Sequence, residues 1–495
     1  MINLPQVHIG VVAVSRDCFP DTLSRERLAA IMREAKKQSL PVTAMETMVM
    51  YEKDIEPAIK ELRDKGCNAM VLFLGNFGPE GPETILVKQF AGPSMVVGAE
   101  EESGKSLVQG RGDALCGMLN CSYNLSLRNC RCHIPEQPIG TAEELTARIA
   151  QYVPVARVLL GLASLKVIGF GPRPQDFYAC NAPIKPLYDL GVEVEENSEL
   201  DLFAAFKKHA GDPRIGAVVE DMAKELGEGN TMPSLLDKLA QYELTLLDWM
   251  EEHRGNSRYV CFAGKCWPAF QPEFGFEPCY VHSRMAAKGV PVACEVDIYG
   301  AVSMYMCLCA TQDVPAILDI NNSVPHDMFT EEIRPKYPCK EGDLLMCFHC
   351  GNTAACKLKK PVMKHQIIMK RTLEPDTEPN VTRGTLEGDI IGGDITMFRL
   401  QSTAGGKLQS YFAQGRVLDV PTHSFGSIGV MEIPEMRRFY RHVLLGRHFP
   451  HHTAIAFAHA GRTLNAALRY LEIGDISYNR PVHVPYDTEI VFGDE

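Results

Sequence analysis

The chain opens with a regular alternation of apolar and amphipathic stretches. Val7–Val14 reads as a buried strand, Asp21–Gln38 carries apolar residues at helical spacing, Pro41–Met48 reads as a second strand and Asp54–Lys65 as a second helix. Ala69–Leu74 (AMVLFL) is a third strand ending in Gly75-Asn76-Phe77-Gly78, and Ser94–Val97 a fourth. Strands that alternate with helices and stay apolar along their length belong to a doubly wound parallel sheet covered on both faces. Helical sequence follows from Gly112 and again from Ala142, and the pattern restarts at Leu165–Phe170 (LKVIGF). Helices around Ile215–Leu226 and Ser234–His253 lead to strands at Arg258–Phe262 and Val290–Cys294, a helix over Asp297–Ala310 and a strand at Pro315–Leu318.

After Pro325 the period changes. Leu344–Phe348, His365–Lys370, Ile395–Leu400 and Gln409–Gly415 read as strands joined by Gly, Asp and Thr turns with no helices between them, which predicts an antiparallel barrel or sandwich. A helix is expected over Glu435–Gly446. The predicted class is α/β: two doubly wound parallel-sheet domains of flavodoxin or Rossmann type, residues 1–162 and 163–342, followed by a β-rich, barrel-like domain, residues 343–495.

Composition then removes whole classes of function. With 45% hydrophobic and 23% charged residues the chain is an ordered globular protein. A net charge of −12, with no Lys/Arg run long enough to track a phosphate backbone, argues against nucleic acid as a partner. The first residues lack a basic stretch followed by an apolar one, so no signal peptide is expected. Val153–Gly171 carries Arg157 and Lys166, and Ile298–Ala310 is too short, so no membrane span is expected either. The 17 cysteines are odd in number and scattered from Cys18 to Cys356, which reads as reduced thiols in a cytoplasmic protein.

In an open α/β sheet, ligands bind beyond the carboxyl ends of the strands. Glu295 ends Val290–Cys294 and Asp319 ends Val314–Leu318, with one helix between them. If these strands are neighbours in one sheet, two carboxylates meet at one rim, a pair that repels unless a cation or a shared proton stabilises it. The plainer reading is that one acid caps a helix or faces solvent. Five histidines lie between His442 and His459, including the adjacent His451 and His452; a carboxylate/imidazole set suits a Mn²⁺- or Zn²⁺-class ion. Side chains alternate along extended chain, so at most one of the adjacent pair is expected to reach a given ion. Cys347-Phe348-His349-Cys350 lacks a second cysteine pair at zinc-ribbon spacing, which leaves His349 the residue of interest there. Gly98-Ala-Glu-Glu-Glu-Ser-Gly104-Lys105-Ser106 is rejected as a phosphate loop because three glutamates would repel the phosphate. Lys265-Cys266-Trp267-Pro-Ala-Phe-Gln271 sets an aromatic face beside a cation and an amide, as a sugar site would, although a tryptophan in the core fits equally. Arg16, just past the first strand, stands at a ligand-binding edge, or in an exposed salt bridge.

These residues resemble the L-fucose isomerase and L-arabinose isomerase superfamily over nearly the whole chain. The resemblance rests on Cys294-Glu295 with Asp319 24 residues on, on Phe348-His349-Cys350-Gly351-Asn352, on Pro450-His451-His452-Thr453 and on Lys265-Cys-Trp-Pro268. The Glu/Asp spacing is similar to the fucose branch, the His-His-Thr to the arabinose branch, and the chain is shorter than typical fucose isomerases. The resemblance implies an aldose–ketose isomerase that uses a divalent ion, usually Mn²⁺, and an enediol. Glu295 and Asp319 would bind the ion and move the proton, His452 would be the histidine ligand and His349 a second-rank one. Arg16, Lys265, Trp267 and Gln271 would contact the sugar: a deoxyhexose, a pentose or a C6-modified hexose such as a sulfosugar. For an anionic group at the sugar's far end, Arg16, Lys265 or Arg173 would be natural partners. It also implies a homo-oligomer, commonly a hexamer, with sites at subunit interfaces. A non-catalytic sugar-binding or regulatory protein, or a sugar epimerase or lyase on the same scaffold, are the alternatives.

Overall fold

The computed structural model describes residues 1–105 and 107–489; Ser106, the last residue of the rejected phosphate loop, and the final six residues of the third predicted domain lie outside the described residues. The chain forms two compact units. One comprises Pro5–Leu160 with Asn465–Glu472, the other Met1–Leu4, Gly161–Leu464 and Ile473 onward.

The first unit is built on a five-stranded parallel sheet of β1 (Ile9–Val14), β2 (Val42–Ala44), β3 (Ala69–Leu74), β4 (Ser94–Ala99) and β5 (Ile139–Gly140), in the order β2-β1-β3-β4-β5. Every residue of β1, β3 and β4 is buried. Helices on both faces produce this, and it is why these strands show no polar alternation. Helix Ile55–Asp64 buries Ile55, Ala58, Ile59 and Leu62, the one stripe its 3.6-residue period brings to the sheet.

The second unit holds two sheets. The first is parallel, β7-β6-β8-β9, from β6 (Leu165–Gly171), β7 (Glu193–Ser198), β8 (Tyr259–Ala263) and β9 (Val292–Ala293). The other contains β10 (Ala316–Asn322), β11 (Leu344–His349), β12 (Val362–His365), β13 (Arg383–Asp389), β14 (Gly393–Ser402), β15 (Leu408–Val417), β16 (Ser427–Glu432), β17 (His452–Ala456) and β18 (Asp475–Tyr478). Six of these strands close a barrel in the order β16-β11-β10-β17-β14-β15, the last returning to β16. The class read from the sequence, two parallel α/β sheets and a barrel, is the one observed.

Two local expectations are corrected. The strand carrying Asp319 is not a neighbour of the strand carrying Glu295 in one parallel sheet: β9 is an edge of the parallel sheet, whereas β10 is a barrel strand antiparallel to β11 and β17. An apolar run with both faces covered looks the same in either setting. His365–Lys370 is not one strand. Strand β12 stops at His365, and Gln366 caps a helix over Ile367–Leu373 by accepting the Met369 N–H.

The barrel's closing seam is narrow, with Arg416 opposite Glu432 and Val417 opposite Met431. A Cβ on the preceding Gly415 would stand 2.0 Å from the Glu432 carbonyl oxygen. Gly415→Ala is therefore expected to destabilise the protein by about 1–3 kcal/mol through overpacking, read as a lower urea midpoint at unchanged slope. An unmoved midpoint would mean that the seam yields freely.

Candidate active site

Glu295 is aimed by the turn after β9. Glu295 (φ 52°) and Val296 (φ 55°) both sit in the left-handed region, which a β-branched residue rarely enters. Such conformations cost on the order of 1–3 kcal/mol each and persist only where the surroundings enforce them. Here the Val296 N–H donates to the Gly264 carbonyl at 2.9 Å and the Asp297 N–H to the Cys294 carbonyl at 3.1 Å. The Val296 side chain lies against Gly169 and Gly171, where a Cβ would already be at 3.6 Å. Asp297 then starts the next helix, Ile298–Thr311, accepting the Gly300 N–H at 2.8 Å.

Asp319 and His452 face one another across the β10–β17 ladder. His452 Nε2 stands 3.0 Å from Glu295 Oε2 and 3.3 Å from Asp319 Oδ1. All three atoms are buried, and none makes a hydrogen bond of acceptable geometry. Three converging donors left unsatisfied in a protein interior call for a bound group. Donors about 2.1 Å from one octahedral ion lie about 3.0 Å apart, so the separation of His452 Nε2 from each carboxylate suits a shared divalent cation.

The residue behind His452 was not found from the sequence. His452 Nδ1 meets Asp297 Oδ2 at 2.8 Å, and the Arg399 guanidinium grips the same carboxylate through NH1 at 2.5 Å and NH2 at 2.9 Å. Arg399 and His452 are fully buried, as is Asp297. The arrangement is a carboxylate holding a ligating imidazole by its outer nitrogen, which fixes tautomer and ring orientation. Cys180 Sγ adds a contact to the same Nδ1 at 3.5 Å. One signal was readable: an arginine inside the otherwise apolar Ile395–Leu400 is almost never buried unless paired.

Burial works against charge throughout this cluster, and the partners outweigh it. Asp297 is held well below the usual carboxylate range by Arg399 and His452. Asp319 is brought down to about 2, chiefly by His452. The stability that Asp319 contributes is therefore present above the ordinary aspartate value near 4 and is lost as pH falls from there toward 2. Contacts from Asp297, Asp319, Cys180 and Glu295 hold His452 well above the ordinary histidine range. The acids around His452 thus favour its protonated form when no cation is held, whereas ligation needs its Nε2 lone pair. Cation uptake should release about one proton per ion, and apparent affinity should rise up to about tenfold per pH unit until the raised His452 value is reached. Calorimetry in buffers of different ionisation enthalpy measures this; pH-independent uptake would contradict it.

The remaining residues singled out from the sequence fall in several places. His349 is buried at the end of β11, and its ring centroid is 5.9 Å from that of His452. His451 also reaches the site, with Nε2 at 3.5 Å from Asp319 Oδ1 and its ring 4.3 Å from that of His452. The expectation that adjacent histidines diverge is corrected because β17 begins only at His452. Trp267 is half-buried and meets Phe177 edge to face at 6.4 Å, while Phe177 also packs on His451 and His452. Lys265 is buried in an ion pair with Glu199 at 3.0 Å. Gln271 lies in the core and donates to Glu277 at 3.0 Å. Arg16 belongs to the other unit, where it pairs with Glu80 at 3.3 Å and covers the Phe77 ring. No disulfide joins the cysteines among the described residues.

Residues 10–163 match the family model of the fucose/sulfoquinovose isomerase N-terminal domain, and residues 347–478 that of the L-fucose isomerase C-terminal domain. Similar curated proteins are the sulfoquinovose isomerase of Alkalicoccus urumqiensis, 25% identical over 324 residues (64% of each chain), and that of Priestia aryabhattai, 26% identical over 282 residues (56% of each). A third, from Clostridium sp. (strain MSTE9), is 23% identical over 293 residues (59% of each). The chain spans less than two thirds of the length of these relatives. Glu295 and Asp319 lie between the two matched segments of the sequence, and the fold brings both to His452 of the second. With both terminal domains matched in order around that site, the chain belongs to the fucose isomerase superfamily.

Proposed function

We propose that this protein is a metal-dependent aldose–ketose isomerase that moves a proton between C1 and C2 of a monosaccharide through an enediol, with Mn²⁺ as the ion. The observation that carries this reading is the convergence of Glu295 Oε2, Asp319 Oδ1 and His452 Nε2, buried and without hydrogen-bond partners. A divalent cation held there would supply Lewis-acid polarisation of the sugar carbonyl. His452 is fully buried and fixed by Asp297, so it holds the ion and does not travel. Asp319, held near 2, is a weak base at neutral pH and serves as an anionic donor. Glu295, at the tip of the strained turn, is left for acid–base work: it removes the proton from C2 of the aldose and returns it to C1.

The substrate class is a sulfonated hexose. The three relatives, sulfoquinovose isomerases by name, support this, and so does the supply of cations. Lys265 is taken by Glu199 and Arg16 by Glu80, whereas Arg173 is anchored through Nε alone to the Cys180 carbonyl at 3.2 Å. An anionic group would therefore meet Arg173. Self-association is supported by helix Ala114–Leu127, which carries no charged residue and exposes Leu115, Leu119, Tyr123 and Leu127 on one stripe. No helix among the described residues is long and apolar enough to cross a membrane.

The test is incubation of the Mn²⁺-loaded protein in D₂O with a panel of aldoses, neutral and C6-sulfonated. Ketose formation with deuterium at the carbon that receives the proton is expected, fastest with the sulfonated sugar. Turnover of none of them, or interconversion with no exchange even at long times, would reject the proposal.

A further inference from the structure

The rings of His349 and His452 lie 5.9 Å apart, yet their hydrogen bonds wire them oppositely. His452 turns Nδ1 toward a carboxylate, which demands a proton there and leaves a lone pair on Nε2, the arrangement of a ligand. His349 turns Nδ1 toward a donor, accepting the Cys350 backbone N–H at 2.9 Å. A neutral imidazole carries one proton, so His349 carries it on Nε2. That nitrogen is buried without a partner in a residue only 3% exposed. The turn that fixes it is rigid: Gly351 accepts the Leu386 N–H, and a Cβ there would meet Leu386 N at 2.6 Å. A ring nitrogen of His349, Cys294 Sγ and a Glu295 carboxylate oxygen all lie within 4.8 Å of one another. An imidazole N–H beside such a site cannot coordinate, but it can donate.

Taking the isomerase reading as its ground, we propose that His349 is a catalytic residue and not a metal ligand. Its Nε2–H donates a hydrogen bond to the sugar oxygen that gains negative charge as Glu295 takes the carbon-bound proton. The substrate thereby satisfies the orphaned donor, and the bond strengthens as charge develops, which is when it lowers the barrier.

Two measurements test this. In wild-type protein labelled with ¹⁵N-histidine, with His349 assigned by its loss in His349→Gln, NMR should show an unprotonated Nδ1 and a protonated Nε2. Titration with diamagnetic Mg²⁺ should move His452 Nε2 and leave His349 Nε2 protonated. A protonated Nδ1, or loss of the Nε2 proton on Mg²⁺ addition, would overturn the assignment whatever the activity of any variant. In kinetics, His349→Ala should lower kcat by about 10²-fold or more with little change in KM, and His349→Gln, whose amide N–H reaches a similar point, should recover part of that loss. Mn²⁺ affinity in both should change by less than the tenfold expected when a group that tunes a metal site is removed. An unchanged kcat, or affinity falling with activity, would reject it. A wild-type protein that turns over no aldose would remove the isomerase reading and this role with it, whereas an active wild type with unimpaired His349 variants would remove this role alone.

Discussion

Glu295→Gln is expected to lower kcat by roughly 10³–10⁴-fold, the upper range for loss of a positioned general base, while much of the bound Mn²⁺ is retained. Glutamine keeps the shape of the side chain and an oxygen that can face the ion, but it cannot accept the substrate's proton. The strained turn tolerates it, since the left-handed φ at residue 295 is enforced by the Val296 and Asp297 backbone hydrogen bonds and not by the carboxylate. Asp319→Asn should show the opposite balance. Asp319 stands in the β10–β17 ladder opposite His452 with its carboxyl held near 2, so its charge is a constant feature of the site, and neutralising it weakens the ion first. Metal analysis after dialysis separates the two variants, and solvent deuterium incorporation should vanish with Glu295→Gln. Glu295→Gln turning over within tenfold of wild type would sink the acid–base assignment, and equal metal loss in both would sink the division of labour.

The fold was legible because its strands are of two textures. Ile9–Val14 and Ala69–Leu74 are apolar throughout and alternate with helices, whereas beyond Pro325 strand follows strand, and no other architecture buries such patterns as well. The site was legible only where chemistry-bearing residues end an element, as Glu295 and His452 do. Asp319 was singled out on a premise that the structure replaces: the 24-residue spacing suggested neighbouring parallel strands, but the carboxylates are brought together by β10 leaving for the barrel. Asp297 and Arg399 could not be paired from the sequence, since 102 residues separate them and no local period reports a contact of that range. His451 was misjudged for a smaller reason. Alternation of side chains is a property of a strand, and the strand starts one residue later.

Arg399→Met should be the most damaging single change outside the donor set. Both Asp297 oxygens are held by the guanidinium, whose Nε and NH2 also reach Gln401 Oε1 at 3.0 and 2.6 Å, and the whole group is buried. Removing it leaves the Asp297 carboxylate in the interior with only the His452 ring and the Gly300 N–H in place of a bidentate guanidinium, a loss of about 3–5 kcal/mol. Asp297→Asn strands the arginine in the same way and leaves one amide oxygen to serve both the Gly300 N–H and His452 Nδ1, so Mn²⁺ affinity should fall by about 10–100-fold. The double variant Asp297→Asn, Arg399→Met has no buried charge to strand. It should be more stable than the sum of the two losses implies, by an interaction free energy of about 1–3 kcal/mol, yet it should regain none of the metal affinity, because nothing restores the charged acceptor behind Nδ1. Urea midpoints at constant slope together with Mn²⁺ titrations make the comparison. If Arg399→Met costs under about 1 kcal/mol, the pair is not the buried support of His452. If the double variant recovers stability and affinity together, orientation of His452 does not depend on Asp297.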